Sequence, residues 1–310
     1  MRVVNRGKIF LLVAGIILVA FFALILLLPQ PKPDPLPIPN GYDDFMAAEG
    51  MVTNTIPDKD SGTLTEFREF VSSSQPALDR VRLGLTKECR VPTEYSIKWI
   101  ADHVSCCMAT EKLAGAFCAE GILAKREGRP SDAAGCFMDV IKLGSVAAHG
   151  GLVIDALIAT DCEVRGESMF ESIITNLDLE QSRKYTAVLD KVEHAREPPD
   201  EIMDRENRSF RAQLRDIDGI MSFAQMCIEM RSLNPRAKMR RDFLKACNRR
   251  LEREQQTKGK LAIHTFKLEK GRYPTNWDEL VHSDLKGVPD KPFTEWITNR
   301  VKYTSDTKSP

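Results

Sequence analysis

The chain contains no paired C-x-x-C knuckles, no G-x-S-x-G elbow, no phosphate-binding loop and no H-E-x-x-H run. These absences remove the commonest zinc-knuckle, serine-hydrolase, nucleotide-binding and zinc-protease readings. Charge of one sign is also missing: 44 Lys and Arg balance 44 Asp and Glu. That balance argues against a polyanion-binding domain, so nucleic acid is not expected as a partner. The eight cysteines lack the spacing of a disulfide framework, and most are expected as small core residues. No catalytic residue, cofactor site, metal site or small-molecule site is assigned from the sequence.

What is present begins with Ile9–Leu28, twenty residues without a charge. At helical rise such a run matches the roughly 30 Å hydrocarbon layer of a bilayer. It exceeds a usual signal-peptide core and is followed by no A-x-A-like cleavage site, which favours an uncleaved anchor over residues 1–28. Arg2, Arg6 and Lys8 precede the run and only Lys32 follows closely. The positive-inside rule then puts the N-terminus in the cytoplasm and the main domain outside it, on a single-span protein of the inner (cytoplasmic) membrane. Residues 29–40 alternate proline with other residues and predict an extended spacer of about 3.1 Å per residue.

Residues 41–259 read as a helical domain, and the fold class is mainly α. A short helix is expected at 42–52, then one or two helices broken near Pro76. A long helix should end at Gly128, and a second, opened by Pro130 and Ser131, should end at Gly144, making an antiparallel hairpin. The apolar stretch from Val146 to Ala159 predicts a central buried helix. Asp178 should cap a surface helix. After Pro198 and Pro199 a stripe of Met203, Phe210, Leu214, Ile217, Met221, Ala224 and Ile228 demands a partner along its length. Met239, Phe243, Cys247 and Leu251 form a second stripe, which a turn at Asn234-Pro235 would lay antiparallel to the first.

Within the hairpin, Phe117, Gly121, Ala124, Gly128, Ala133, Phe137, Val140 and Leu143 fall at the spacing of a tetratricopeptide repeat, so residues 114–144 resemble one such unit. Shifting by 34 residues finds no second copy. Repeat arrays need about three units to bury a continuous core, so a generic helical hairpin is expected.

Three constellations could carry chemistry. His103, Cys106 and Cys107 stand at i, i+3 and i+4, a spacing that can bring imidazole and thiolate to one metal ion, but no fourth ligand is evident and a core histidine is expected. His149-Gly150-Gly151 echoes an oxyanion loop without the fold it requires. The acidic groups Asp200, Glu201, Asp204, Asp216 and Asp218 share a segment with Arg205, Arg208, Arg211 and Arg215, which predicts solvated i,i+4 pairs. The one marked charge asymmetry is between residues 231 and 260, where eleven basic residues face three acidic ones. Arg236, Arg240, Arg241, Lys245, Arg249 and Arg250 form a candidate basic surface there, suited to lipid headgroups or an acidic partner.

Near the C-terminus, "KLAIHTFKLEKGRYPTNWDELV" followed by "LKGVPDKPF" and "VKY" resembles the tail of the G-class pseudopilins of type II secretion. The motif residues are Gly271, Arg272, Tyr273, Pro274, Leu280, Val281, Pro289, Pro292 and Phe293. The resemblance implies that residues 260–310 form a small cap: a glycine-stopped helix, a turn, a short helix capped by Thr275, and at most a short strand. The sequence departs from the family in two places. The fifth residue after Gly7 is Leu12, not the Glu of a prepilin, and Lys291 replaces the Asp of the Pro-x-Asp-Pro turn. The Asp-rich calcium loop has no counterpart in residues 282–310, so no calcium site is implied. Together these readings predict a non-enzymatic envelope scaffold with a protein partner or self-association. The alternatives are a secretion or pilus-like component and an envelope hydrolase using His103, His149 or the acidic helix.

Overall fold

The computed structural model describes residues 32–213, 221, 225, 228, 235–276 and 278–281. The proposed span Ile9–Leu28, the strand expected near Tyr303, and Pro289, Pro292 and Phe293 of the tail motif lie outside them. Among the described residues no helix is long and apolar enough to cross a membrane, and there is no strand. The helices are α1 (Gly41–Glu49), α2 (Leu64–Gly84), α3 (Ile97–Arg126), α4 (Pro130–Ala147), α5 (Val153–Glu171), α6 (Leu179–Ala195), α7 (Pro199–Gln213), α8 (Pro235–Lys270) and the short α9 (Asp278–Val281). A 3-10 turn at Ile174–Asn176 separates α5 from α6. Successive helices pack on one another from α1 to α5, α6 packs on α4, and α8 returns across α5 and α6.

Local chemistry fixes most helix ends. Thr63 caps α2 and Asp178 caps α6, each with a reciprocal bond from the third helical residue, Glu66 and Gln181. Gly128, at φ +75°, ends the α3 turn and lets Pro130 open α4, as expected. Pro76 does not break α2. It and Ser72, whose carbonyl loses a helical donor, both lie on the exposed face of the helix. The inner face from Phe67 to Val81 therefore stays continuous.

Gly144 does not end α4 either. It lies against α5, where a Cβ would meet the Ala159 carbonyl oxygen and Glu163 Cγ at 2.7 Å, so glycine sets the approach of the two helices. The chain instead turns at Ala148–Leu152, with Gly150 at φ +73°. The continuous buried helix expected from Val146 is thus two helices joined at the His149-Gly150-Gly151 corner.

Asn40 clamps the start of the body. Its Oδ1 accepts from the Arg90 amide at 2.9 Å and its Nδ2 donates to the Arg90 carbonyl at 2.8 Å. The described Pro-rich residues 32–39 form no helix or strand, and Asp34 among them sits 3.6–3.9 Å from the guanidinium groups of Arg90, Arg205 and Arg208. Arg82 ties α2 to the α3–α4 hairpin through Glu120 at 2.6 Å and Asp139 at 3.1 Å.

The α8 stripe finds its main partners on α5 as well as α7. Phe243 and Cys247 pack with Ala156, Ala159, Ile202 and Met203. Leu251 is 38% exposed, and so are the later α7-stripe positions Met221 and Ile228, at 65% and 69%. Among the described residues α8 thus packs across α5 as well as α7. Leu214, Ile217, Ala224 and Asn234 lie outside the described residues. Helix α8 runs without interruption through the 259/260 boundary, so the tail corner is an extension of the helical body.

Candidate functional site

The densest cluster of potentially reactive groups lies where α3 meets the start of α5. Ser96 caps α3, accepting from the Trp99 amide at 3.1 Å, and Trp99, His103 and Cys107 then follow at four-residue steps on one face. The indole stacks on the His103 ring with centroids 4.2 Å apart and planes 13° apart. From α5, Asp155 closes the site. Its Oδ2 accepts from the Leu152 amide at 2.7 Å, which caps α5. Its Oδ1 lies 2.6 Å from His103 Nε2 and accepts from the Cys107 thiol at 3.4 Å.

All three side chains are buried, and their ligand atoms lie within 4.8 Å of one another. The carboxylate also sits at the positive end of α5, where negative charge is favoured. Burial first, and the Asp155 charge second, push the Cys107 thiol well above its ordinary range. Burial likewise raises Tyr42 and Glu206, each further raised by Asp155.

This geometry does not make a catalytic thiol. A Cys–His pair requires the imidazole nitrogen to take the thiol proton, whereas here imidazole and thiol share one carboxylate oxygen. The arrangement offers instead one N, one S and one O donor to a common centre. Sequence spacing found His103 and Cys107; Cys106, half-buried, is not part of the convergent set. Asp155 was missed because its role depends on the Gly150-Gly151 corner, whose glycine pair was the available signal.

The other sequence-selected groups are distributed differently. His149 is half-buried, its Nε2 lacks a hydrogen-bond partner among the described residues, and burial lowers its pKa. Arg205 does not form a solvated i,i+4 pair. It is buried, donates to the Gly151 carbonyl at 2.7 Å and pairs with Glu197. Of the candidate basic surface, Arg240, Arg241, Lys245 and Arg249 are exposed. Arg236 instead lies half-buried over the Phe210 ring at 4.6 Å, and Arg250 is directed inward, 3.8 Å from buried Glu163. Both have long apolar stems that favour partial burial.

At the tail corner, Gly271 takes φ +70° and ends α8. Arg272 pairs with Glu279 at 2.8 Å, and Lys267 donates to the Tyr273 hydroxyl at 3.0 Å. Pro274 and Leu280 are buried. The Glu279 amide is taken by Asn276 Oδ1, not by Thr275, which donates to the Glu279 carboxylate. A cleft of about 420 Å³ borders the corner, lined by residues including Glu171, Lys260, His264 and Tyr273. Its polar wall is already engaged: Glu171 accepts from Arg253 at 3.1 Å and Thr257 at 2.9 Å, and His264 Nε2 lies 2.9 Å from the Leu177 carbonyl oxygen.

No family model, curated protein or solved structure matches the chain.

Proposed function

We propose that the chain is a non-enzymatic, single-span envelope protein of the inner membrane, whose helical body acts as an interaction scaffold. The anchor is read from Ile9–Leu28 and its orientation from Arg2, Arg6 and Lys8. The observation that carries the scaffold reading is the double use of Asp155 Oδ1, which occupies both His103 and Cys107 in holding α3 against α5. Buried polar groups are spent on joining helices, while Arg240, Arg241, Lys245 and Arg249 remain exposed on α8 as a contact face. Extraction in mild detergent followed by affinity purification tests the reading. Recovery in a stable complex, with itself or with another protein, supports it; recovery as a lone monomer overturns it.

A second reading, a component of a type II secretion or pilus-like assembly, is favoured by the Gly271–Val281 corner. Gly271 stops α8, and Arg272 and Thr275 both bind Glu279 to hold the turn. That reading requires co-assembly with pseudopilins. A mature chain that retains Met1 to Gly7 and never co-purifies with filaments contradicts it.

A further inference from the structure

We propose that His103, Cys107 and Asp155 form a binding site for a zinc-class transition-metal ion, which would join α3 to α5 through the same three side chains on which the scaffold reading rests. The donor set is chemically mixed and borderline-soft: an imidazole nitrogen, a thiolate sulfur and a carboxylate oxygen, the three ligand types that zinc takes in proteins. The three atoms lie within 4.8 Å of one another without any backbone movement. For metal–ligand bonds of about 2.0–2.3 Å in tetrahedral geometry, ligand atoms stand roughly 3.3–3.7 Å apart. The Cys107 Sγ to Asp155 Oδ1 separation of 3.4 Å already meets that spacing. The His103 Nε2 to Asp155 Oδ1 distance of 2.6 Å is a hydrogen bond and has to open by roughly 0.7 Å as the ion replaces the shared proton.

The surroundings hold the ligands in place. Asp155 is fixed through its other oxygen by the Leu152 amide, and the His103 ring by its stack on Trp99. Such outer contacts orient ligands and tune metal affinity. A further carboxylate stands at the same helix end: Glu206 on α7 accepts from the Val153 amide at 3.0 Å. A divalent ion bound to one thiolate and one carboxylate leaves the three-ligand centre neutral, which suits a buried position. The fourth coordination position would be taken by a solvent molecule or an exogenous ligand.

The test uses the full-length chain in mild detergent, reduced and stripped with chelator, then titrated with Co²⁺ without oxygen. The expected result is one equivalent bound, with a thiolate-to-cobalt band in the near ultraviolet and four-coordinate visible bands, all displaced by Zn²⁺. Cys107→Ser removes the thiolate band, His103→Gln weakens binding by about tenfold or more, and Cys106→Ser leaves the band in place. X-ray absorption on the unmutated zinc-loaded protein, which needs no variant to fold, should show one sulfur with nitrogen and oxygen neighbours. Absence of the band, its survival in Cys107→Ser, its loss in Cys106→Ser, or a sulfur count other than one overturns the proposal.

Discussion

Gly121 lies against the face of Phe137: a Cβ at Gly121 would stand 2.3 Å from the ring carbon Cε1. Small residue and aromatic ring are matched across the α3–α4 hairpin, and Phe137 is fully buried. Gly121→Ala should destabilise by about 1–3 kcal/mol through overpacking, and Phe137→Ala by about 3–5 kcal/mol through the cavity left. Because the residues touch, Gly121→Ala combined with Phe137→Leu should cost less than the two changes summed. Urea unfolding of the unmutated chain, Gly121→Ala, Phe137→Leu and the double variant reads the coupling.

Arg196 sits at the C-terminal end of α6, its side chain 7% exposed, between Glu163 of α5 at 2.8 Å and Glu254 of α8. Removing it leaves two buried carboxylates without their shared cation. Arg196→Ala should therefore cost about 3–5 kcal/mol, far more than loss of the exposed Arg68–Glu127 pair at about 0–1 kcal/mol. Denaturation midpoints at neutral pH separate the two cases.

Glu167 is fully buried, and neither carboxyl oxygen has a hydrogen-bond partner among the described residues. Burial first, then the charges of Glu163 and Glu254, hold its pKa well above the ordinary 4.5. Above pH 4.5 the unfolded chain gives up this proton while the folded chain keeps it, so stability falls as pH rises until the folded group also ionises. Glu167→Gln should be nearly neutral near pH 4.5 and flatten that fall at higher pH. Glu163, raised in the same direction, leaves a residual slope. Unfolding measured across pH 4–9 tests the sign.

Gly271 and Gly128 both take positive φ, and a Cβ at either meets nothing within 4 Å. Alanine at each should cost about 1–2 kcal/mol from backbone conformation alone. At Gly271 the loss is confined to the corner. Faster hydrogen exchange at Leu280 with unchanged exchange in α4 would report that; global destabilisation would contradict it.

Features written in short stretches were legible in the sequence. The Asp178 cap, the Gly128 stop, Pro130 at the start of α4 and the glycine–phenylalanine match of the hairpin all depend on neighbours in the chain or on helical spacing. Features that arise between distant segments were not. Glu163 and Glu171 look like solvated acidic positions until α8 returns over them with Arg250, Arg253 and Lys260. Arg250 was read as surface for the same reason. Pro76 was over-weighted because the cost of a helix proline depends on which face carries it, and here Pro76 and Ser72 are on the exposed face. Asp155 became visible only once the Gly150 corner set the start of α5 beside His103.

The central claim, that the body works as a tethered scaffold with its contact face on α8, is tested most directly by site-specific photocross-linking in intact cells. A cross-linkable residue at Lys245, 74% exposed on α8, is compared with one at Leu83, 48% exposed on α2. The account predicts a discrete protein adduct from position 245 that is lost when Arg240, Arg241 and Arg249 are changed to Glu, and none from position 83. Adducts absent from position 245, together with a chain that purifies as a lone monomer, would contradict it.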